Sequence, residues 1–259
     1  MLLIAATGCS MQDLPHQLSV PDPATDQGKR IFDLWQGTWV TLWIIGGFTW
    51  LLIIGSAVFY RRRHAEHIPK QTKYNLPIEI LYTITPLVII AVFYVFTYRD
   101  TDIVTKVTDD AAVNVNVVGY QWNWTFNYID DQVYTTGTPA DLPTLYLPVG
   151  EKVRFILTSP DVIHSFWVPA FLMKMDVVPG RTNQFEVTPT TLGHFAGRCA
   201  ELCGTSHSEM VFWVDVVTPE QYAAKIAEFK AAGQTGALTT GRANNDAQNQ
   251  GNTRFGGQF

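Results

Sequence analysis

Two long apolar runs lie in the first part of the chain. Residues 39–60 and residues 80–98 contain no charged side chain. Since a helix rises about 1.5 Å per residue, each run is long enough to cross a hydrocarbon layer of about 30 Å. The pattern therefore predicts two membrane-spanning helices. Two buried core helices of a soluble domain are the alternative.

After Arg99 the pattern changes to short segments in which apolar and polar residues alternate. Residues 113–117 alternate with period two, and similar runs occur at 152–157, 184–187 and 211–217, with Pro and Gly between them. This alternation is typical of strands that bury one face. The second part of the chain therefore predicts an antiparallel β sandwich.

These changes of pattern divide the chain into successive segments. Near the start, residues 10–36 are polar and contain three prolines, which predicts an exposed N-terminal segment. Near the end, Pro219 follows a capping Thr218 and predicts a short amphipathic helix. The predicted boundaries are 37–99 for the two-helix transmembrane hairpin, 100–217 for the sandwich, 218–232 for the C-terminal helix and 233–259 for a disordered tail rich in Gly, Asn and Gln.

The apolar opening, residues 1–9, resembles the end of a bacterial lipoprotein signal peptide, in which small residues precede a lipidated cysteine. Cys9 would carry the lipid. A disordered start with a free thiol is the alternative, because a basic segment is missing and the apolar run is short for a full signal.

Composition and charge favour a membrane protein. Hydrophobic residues make up 47% of the chain and charged residues 16%, and the formal net charge is -5. The acidic balance gives no sign of nucleic-acid binding. The basic residues include one short cluster, Arg61 to Arg63, directly after the first apolar run. Because positive residues collect on the cytoplasmic side of membranes, this loop is predicted to face inward and both chain ends outward.

A short stretch near the end of the predicted sandwich carries the chemistry. Residues 199–210 contain Cys199, Cys203, His207 and Met210, and His164 lies on an earlier strand. Thiolate, imidazole and thioether groups favour copper over cations that prefer oxygen ligands. A one-copper site needs a single cysteine, so Cys199 is surplus to it. Two thiolates four positions apart can instead bridge a pair of copper ions.

Two other interpretations of these residues stay open. A pair of cysteines in an exported domain commonly forms a disulfide, because export places thiols in an oxidising compartment. Two cysteines and two histidines could also form a closed zinc site.

The motif C-x-E-x-C-x-x-x-H-x-x-M resembles the dinuclear CuA loop of the cytochrome c oxidase subunit II family. Three other stretches are similar to that family. They are Glu79-Ile-Leu-Tyr-Thr-Ile-Thr-Pro86, Gly119-Tyr-Gln-Trp-Asn-Trp124, and the block that begins at His164 and ends at Arg181. The resemblance covers roughly residues 36–217. Tyr82 and Tyr120 replace the usual Trp and His, and Arg198 stands where Gln is common.

The resemblance implies a membrane-anchored α+β chain, in which the two-helix hairpin is followed by an all-β cupredoxin-type sandwich. It implies that Glu201 contributes its backbone carbonyl to copper and its side chain to a magnesium ion shared with the catalytic subunit. It also implies that electrons enter at Trp122 and that Glu79 lies at the mouth of a proton pathway. The implied copper ligands are His164, Cys199, Glu201, Cys203, His207 and Met210.

The function implied is that of the electron-accepting subunit of an aerobic terminal oxidase in the bacterial cell membrane, with the copper domain outside. Cytochrome c, soluble or tethered in a supercomplex with a cytochrome bc-type complex, would supply electrons. Oxidase subunits I and III and membrane lipid would be its other partners. Oxygen reduction to water, coupled to proton translocation, would occur in the catalytic subunit.

Three other functions suit parts of the sequence. A quinol oxidase subunit would lack the copper ligands, and the copper domain of a nitrous oxide reductase would lack the two apolar runs. A copper carrier would need an exposed and labile site, whereas these ligands come from two distant segments.

Overall fold

A computed structural model describes residues 20–64, 66, 68, 71–138 and 141–239 of the chain. Cys9 lies outside the described residues, so its lipidation stays a prediction. The chain divides into two compact units, one formed by residues 31–103 and the other by the rest.

Two long helices account for the membrane part of the described chain. Helix α1 spans Asp26–Phe59 and helix α2 spans Leu76–Thr105, with Pro86 inside it. Each contains an 18-residue window that is apolar enough to cross a membrane and has none of its residues buried. Two membrane-competent helices are therefore confirmed. Both extend beyond the uncharged runs, because charged residues do not stop a helix, and α2 continues past the predicted boundary at Arg99.

The start of α1 corrects the predicted exposed segment 10–36. Thr25 caps the helix, since its hydroxyl oxygen accepts a hydrogen bond of 2.9 Å from the backbone N–H of Gly28. Ala24 and Thr25 are fully buried, and the N–H of Ala24 donates to the carbonyl of Ala170 at 2.8 Å. The three prolines all precede this cap, so they do not interrupt the helix. The prediction of exposure is therefore wrong for Ala24, Thr25 and Gly28, whereas Asp26, Lys29 and Asp33 are exposed on the helix.

The second unit is a two-sheet sandwich, and the predicted all-β sandwich is confirmed. Among the described residues, one sheet has the order β3-β2-β1-β5-β8 and the other β4-β10-β9-β6-β7. The strands are β1 (Val113–Tyr120), β2 (Asn123–Tyr128), β3 (Val133–Thr136), β4 (Thr144–Pro148), β5 (Val153–Thr158), β6 (His164–Val168), β7 (Met173–Val177), β8 (Asn183–Val187), β9 (Gly193–Cys199) and β10 (Val211–Val217).

The sandwich is not wholly antiparallel as predicted. Strand β1 pairs with β5 in parallel, and β10 pairs with β4 in parallel. Alternation identifies the buried face of a strand but carries no information about the direction of its neighbour. Parallel pairs need long crossover connections, and here the intervening strands supply them.

Aromatic side chains fill the space between the sheets below the cysteine loop. Phe166 of β6 stacks on Phe212 of β10 with ring centroids 5.0 Å apart. Trp124 packs edge-on against both rings and is fully buried. Close packing of this kind holds strands in fixed positions. The residues at the ends of β6, β9 and β10 therefore sit on a rigid base.

The C-terminal helix α3 spans Pro219–Ala231 and begins with the predicted capping box at Thr218. The predicted disordered tail 233–259 is wrong for its first residues. Thr235 forms a β bridge with Val133, and Leu238 is only 3% exposed. The backbone of Leu238 exchanges two hydrogen bonds with the amide of Asn127, at 2.8 and 3.1 Å. Composition suggested disorder, but this buried leucine and its amide partner order the segment.

Candidate metal centre

The predicted ligands come together at one end of the second sheet. His164 begins β6 and Cys199 ends β9, and these strands pair so that Phe166 lies opposite Cys199. Cys203 and His207 lie in the loop after β9, and Met210 directly precedes β10. Pairing of β6 with β9 therefore brings residues that are far apart in sequence to the same place.

The donor atoms form one continuous cluster. The two sulfur atoms are 3.8 Å apart, and His164 Nδ1 lies 3.9 Å from Cys199 Sγ. On the other side, Cys203 Sγ is 3.6 Å from His207 Nδ1 and 3.8 Å from the sulfur of Met210. The carbonyl oxygen of Glu201 lies 3.2 Å from Cys199 Sγ. Each cysteine thus has one histidine and one weaker donor as neighbours.

Most of the cluster is buried, His207 is partly exposed, and the two cysteines are free thiols. His164 has no exposed surface, and Cys199, Cys203 and Met210 are at most 5% exposed. A disulfide would bring the sulfur atoms to about 2.05 Å, far closer than their separation here. The geometry therefore favours a metal site over the disulfide alternative.

The environment of the two thiols favours one negative charge and resists a second. Burial raises the pKa of Cys199, but hydrogen bonds with His164 and with the backbone outweigh burial and hold this pKa below its ordinary value. Burial and the neighbouring Cys199 both raise the pKa of Cys203. Because a bound cation stabilises thiolates, metal binding would drive the release of the second proton.

The spacing of the donor atoms fits metal binding. Two ligands at about 2.0 to 2.3 Å from one tetrahedral metal lie about 3.3 to 3.8 Å from each other. The measured separations between the sulfur and nitrogen donors fall in or close to this range. The soft donor set suits copper, and the residues present therefore fit a copper centre.

Trp122 lies in a turn, whereas Trp124 lies on strand β2. Tyr120 pairs with Asn123, so Gln121 and Trp122 form the two-residue turn between β1 and β2. Trp124 points into the core, whereas the indole N–H of Trp122 donates to the carbonyl of Cys203 at 3.2 Å. The turn therefore places Trp122 against the cysteine loop.

Two residues near the cluster were missed by the sequence analysis. The side-chain amide of Gln121 donates to the carbonyl of Cys203 at 2.8 Å. Asp161 Oδ1 lies 2.9 Å from His164 Nε2, which leaves Nδ1 of His164 facing Cys199. The position of Asp161, three residues before a ligand histidine, was the signal that could have revealed it.

The carboxylate of Asp161 and the ring of His164 stabilise each other's charge. Burial raises the pKa of Asp161, but hydrogen bonds from Gln121 and His164 outweigh burial and lower it. Burial lowers the pKa of His164, but Cys199 and Asp161 outweigh burial and raise it. A metal that binds His164 competes with this raised affinity of the ring for a proton.

Three other residues lie outside the cluster of donor atoms. Arg198 is exposed on the opposite strand face from Cys199, and its guanidinium lies 5.9 Å from the Trp167 ring. His194, which is not among the implied copper ligands, stacks on Trp213. Glu79 belongs to the helical unit, where its carboxylate accepts a 2.8 Å hydrogen bond from the N–H of Asn75.

Known proteins resemble the chain along nearly its whole length. The family described as cytochrome c oxidase subunit II, periplasmic domain, matches residues 140–217. The chain is 43% identical over 280 residues to a probable cytochrome c oxidase subunit 2 of Streptomyces avermitilis, covering 93% of this chain and 88% of the relative. The corresponding subunit of Mycobacterium tuberculosis is 30% identical over 295 residues, with 91% and 81% covered.

A solved structure is also similar to part of the chain. The periplasmic domain of subunit II of cytochrome oxidase from Bradyrhizobium japonicum is 29% identical, with a TM-score of 0.45, and covers 49% of this chain and 99% of that domain. The identity to the full-length relatives from Streptomyces and Mycobacterium establishes that the chain belongs to the cytochrome c oxidase subunit II family.

Proposed function

We propose that the chain binds a dinuclear copper centre that accepts single electrons from cytochrome c and passes them to haem in the catalytic subunit. One observation carries this proposal. Two free, buried thiols lie 3.8 Å apart, and each is flanked by one imidazole and one weaker donor. A one-copper site would leave one of these thiols without a role. The proposed ligands are His164, Cys199, the carbonyl of Glu201, Cys203, His207 and Met210.

As a member of its family, the chain is the electron-accepting subunit of a haem–copper oxidase, which is an oxidoreductase complex. It is a membrane protein with an outer-face domain. We further propose that it crosses the bacterial cell membrane twice, with subunits I and III as its neighbours. The cluster Arg61 to Arg63 supports this orientation, because it follows α1 and would hold the loop on the cytoplasmic side.

When bound, copper would supply a one-electron reservoir whose charge is spread over two metals by the thiolates. The protein contributes a largely buried and rigid frame for this reservoir. His164 and Cys199 lie on paired strands above the aromatic core, so their donor atoms have little freedom to move. Rigid ligands favour fast electron transfer, because little rearrangement accompanies each change of charge.

Trp122 is the proposed point at which electrons enter. Its indole N–H donates to the carbonyl of Cys203, a proposed ligand residue. This contact gives a short path from the partly exposed ring to the sulfur of Cys203. A cytochrome c bound over the ring would therefore need no other protein group between its haem and the copper centre.

Two acidic residues have proposed roles in proton and metal chemistry. Glu79 lies in the first turn of α2, where an acid in a membrane helix is costly unless it meets water or a partner. We propose that it receives protons from the cytoplasm, and that its hydrogen bond with Asn75 fixes its position. The side chain of Glu201 is proposed to bind magnesium at the contact with the catalytic subunit.

An electron paramagnetic resonance spectrum of the full chain loaded with copper tests the proposal. One unpaired electron shared by two equivalent copper nuclei gives a different hyperfine pattern from one confined to a single nucleus. We expect the shared pattern, with two copper ions bound per chain. A single-copper pattern would contradict the proposal, and so would preferential binding of one zinc ion from an equal mixture.

A further inference from the structure

The turn that carries Trp122 is hydrogen-bonded to the loop that contains the proposed ligands Cys203 and His207. Gln121 and Trp122 both donate side-chain hydrogen bonds to the carbonyl of Cys203, at 2.8 and 3.2 Å. The turn therefore has two contacts with a single backbone group. Because that group belongs to a proposed ligand residue, any shift of the cysteine loop would also shift the turn.

The same turn is attached to the strand that carries His164. The backbone N–H of Gln121 donates to Asp161 Oδ2 at 2.7 Å. The other oxygen of Asp161 lies 2.9 Å from His164 Nε2 and also accepts the N–H of Val162 at 2.6 Å. One carboxylate therefore connects the backbone of the turn to the ring of a proposed copper ligand.

These contacts form a chain of hydrogen bonds that runs from His164 through Asp161 and Gln121 to Cys203. The proposed copper centre would connect the two ends of this chain. We propose that Gln121 and Asp161 form a brace that holds the Trp122 turn at a fixed distance from both ligand segments. They would then be positioning residues for electron uptake. This inference rests on the proposed function.

Each of the two brace residues can be changed by a substitution that preserves side-chain size. Asp161→Asn leaves one acceptor oxygen where two are used, so either the N–H of Gln121 or the N–H of Val162 must lose its acceptor. The turn and the segment before β6 are then no longer held by one carboxylate. Gln121→Glu replaces the amide donor by a carboxylate, which cannot donate to the Cys203 carbonyl. The two substitutions change the net charge in opposite directions. If both variants slow electron uptake, altered long-range attraction to cytochrome c therefore could not be the cause.

A matched control lies at the opposite end of β1 and β2, the two strands that the Trp122 turn connects. Asp130 Oδ2 accepts hydrogen bonds from the backbone N–H and the side-chain amide of Asn114, at 2.9 and 3.0 Å. Asp130→Asn alters the charge by the same amount as Asp161→Asn and removes a similar contact between carboxylate and backbone. It touches none of the proposed ligands, so it reports only on the stability of the strands.

The first test uses hydrogen exchange of the copper-free full chain in detergent micelles, followed by mass spectrometry. Asp161→Asn weakens a contact with a carboxylate, and Gln121→Glu leaves a carboxylate facing the carbonyl of Cys203, so each should speed local opening by roughly tenfold or more. We expect this increase in peptides that cover residues 119–124 for Asp161→Asn and Gln121→Glu. Asp130→Asn should leave these peptides unchanged. Exchange that is equal in all three variants would overturn the brace.

The second test uses copper-loaded oxidase and measures the rate of electron uptake from cytochrome c. We expect both brace variants to lower the maximal rate by about tenfold with little change in the cytochrome c concentration needed for half-maximal rate. Rates equal to that of Asp130→Asn would overturn the positioning role. Gln121→Glu alters no side chain that contacts His164, so it keeps this test decisive if Asp161→Asn loses copper.

Failure of the brace and failure of the proposed function would look different. A wild-type spectrum without a shared spin would contradict the dinuclear copper centre. The exchange data on the copper-free chain would still decide whether Gln121 and Asp161 connect the turn to the two segments.

Discussion

Gly204 lies against the Trp122 indole, one residue after Cys203 in the ligand loop. A Cβ atom at Gly204 would sit 3.0 Å from two atoms of the ring, and the backbone there has a φ of +130°. The backbone conformation favours glycine, and an added Cβ would press against the ring. The loop and the tryptophan therefore determine each other's position.

We expect Gly204→Ala to displace Trp122 and to slow electron uptake from cytochrome c by about tenfold. Gly150→Ala is the matched control, because Gly150 also has a positive φ, of +81°, but nothing lies within 4 Å of its added Cβ. Each variant should lose roughly 1 to 2 kcal/mol of stability from backbone strain. Equal rates of cytochrome c oxidation in the two variants would show that the ring contact has no functional effect.

Cys199→Ser should abolish the shared-electron state and reduce oxidase activity to near zero. A serine hydroxyl is a hard and weakly acidic donor, so it would not replace a thiolate between two copper ions. Met210→Leu is the control, since it removes only a weak thioether ligand and nearly conserves the buried volume. We expect its paramagnetic resonance spectrum to keep the shared pattern. Full cytochrome c oxidation by the Cys199→Ser oxidase would contradict the assignment.

Trp122→Ala should slow electron uptake while copper stays bound. The ring contributes one hydrogen bond to the Cys203 carbonyl but no proposed metal ligand, and Gln121 donates to the same carbonyl. Copper content and the resonance spectrum separate the two possible roles of the ring. Loss of copper in this variant would mean that Trp122 is a structural residue.

Arg198→Gln should change the midpoint potential of the copper centre by much less than 59 mV, the equivalent of a tenfold change in a one-electron equilibrium. Arg198 is next to Cys199 in the sequence, and a positive charge close to the thiolates would stabilise them. In the structure, Arg198 is exposed and lies over Trp167, so water and salt screen its charge. A redox titration that found a larger shift would show that the charge reaches the copper site.

The sequence contained enough information to predict the ligand cluster because most of its members lie in one short loop. Cys199, Cys203, His207 and Met210 fall within twelve consecutive residues, and only His164 is distant. Chain connectivity therefore keeps most of the donor atoms together. The pairing of β6 with β9, which brings His164 to the loop, depends on long-range packing that alternation alone does not specify.

Features that depend on contacts between distant segments could not be predicted. The parallel pairing of β1 with β5 has no local signal, because face alternation is the same in either direction. Trp122 lies in a turn because Tyr120 pairs with Asn123, and no Gly, Pro or Asp marks that turn. The contact of Asp161 with Gln121 spans forty positions along the chain.

The segment after α3 provides the last prediction, because it was expected to be disordered and instead packs on the first sheet. Leu238 is buried beside Asn127, and the backbone of residues 234–236 bonds to the edge near Tyr134. A chain that ends after Gly233 should lose about 3 kcal/mol, from one buried leucine and several hydrogen bonds. Its thermal midpoint should fall by about 6 to 12 °C.

A chain that ends after Thr239 is the control for this truncation, since it keeps every described contact of the segment. Thermal unfolding followed by near-ultraviolet circular dichroism, with both chains in the same detergent, compares the two midpoints. Leu238→Ala in the full-length chain should reproduce about 2 kcal/mol or more of the loss, because a buried cavity replaces the side chain. Equal midpoints for the two truncated chains would mean that residues 234–239 add nothing to the stability of the sandwich.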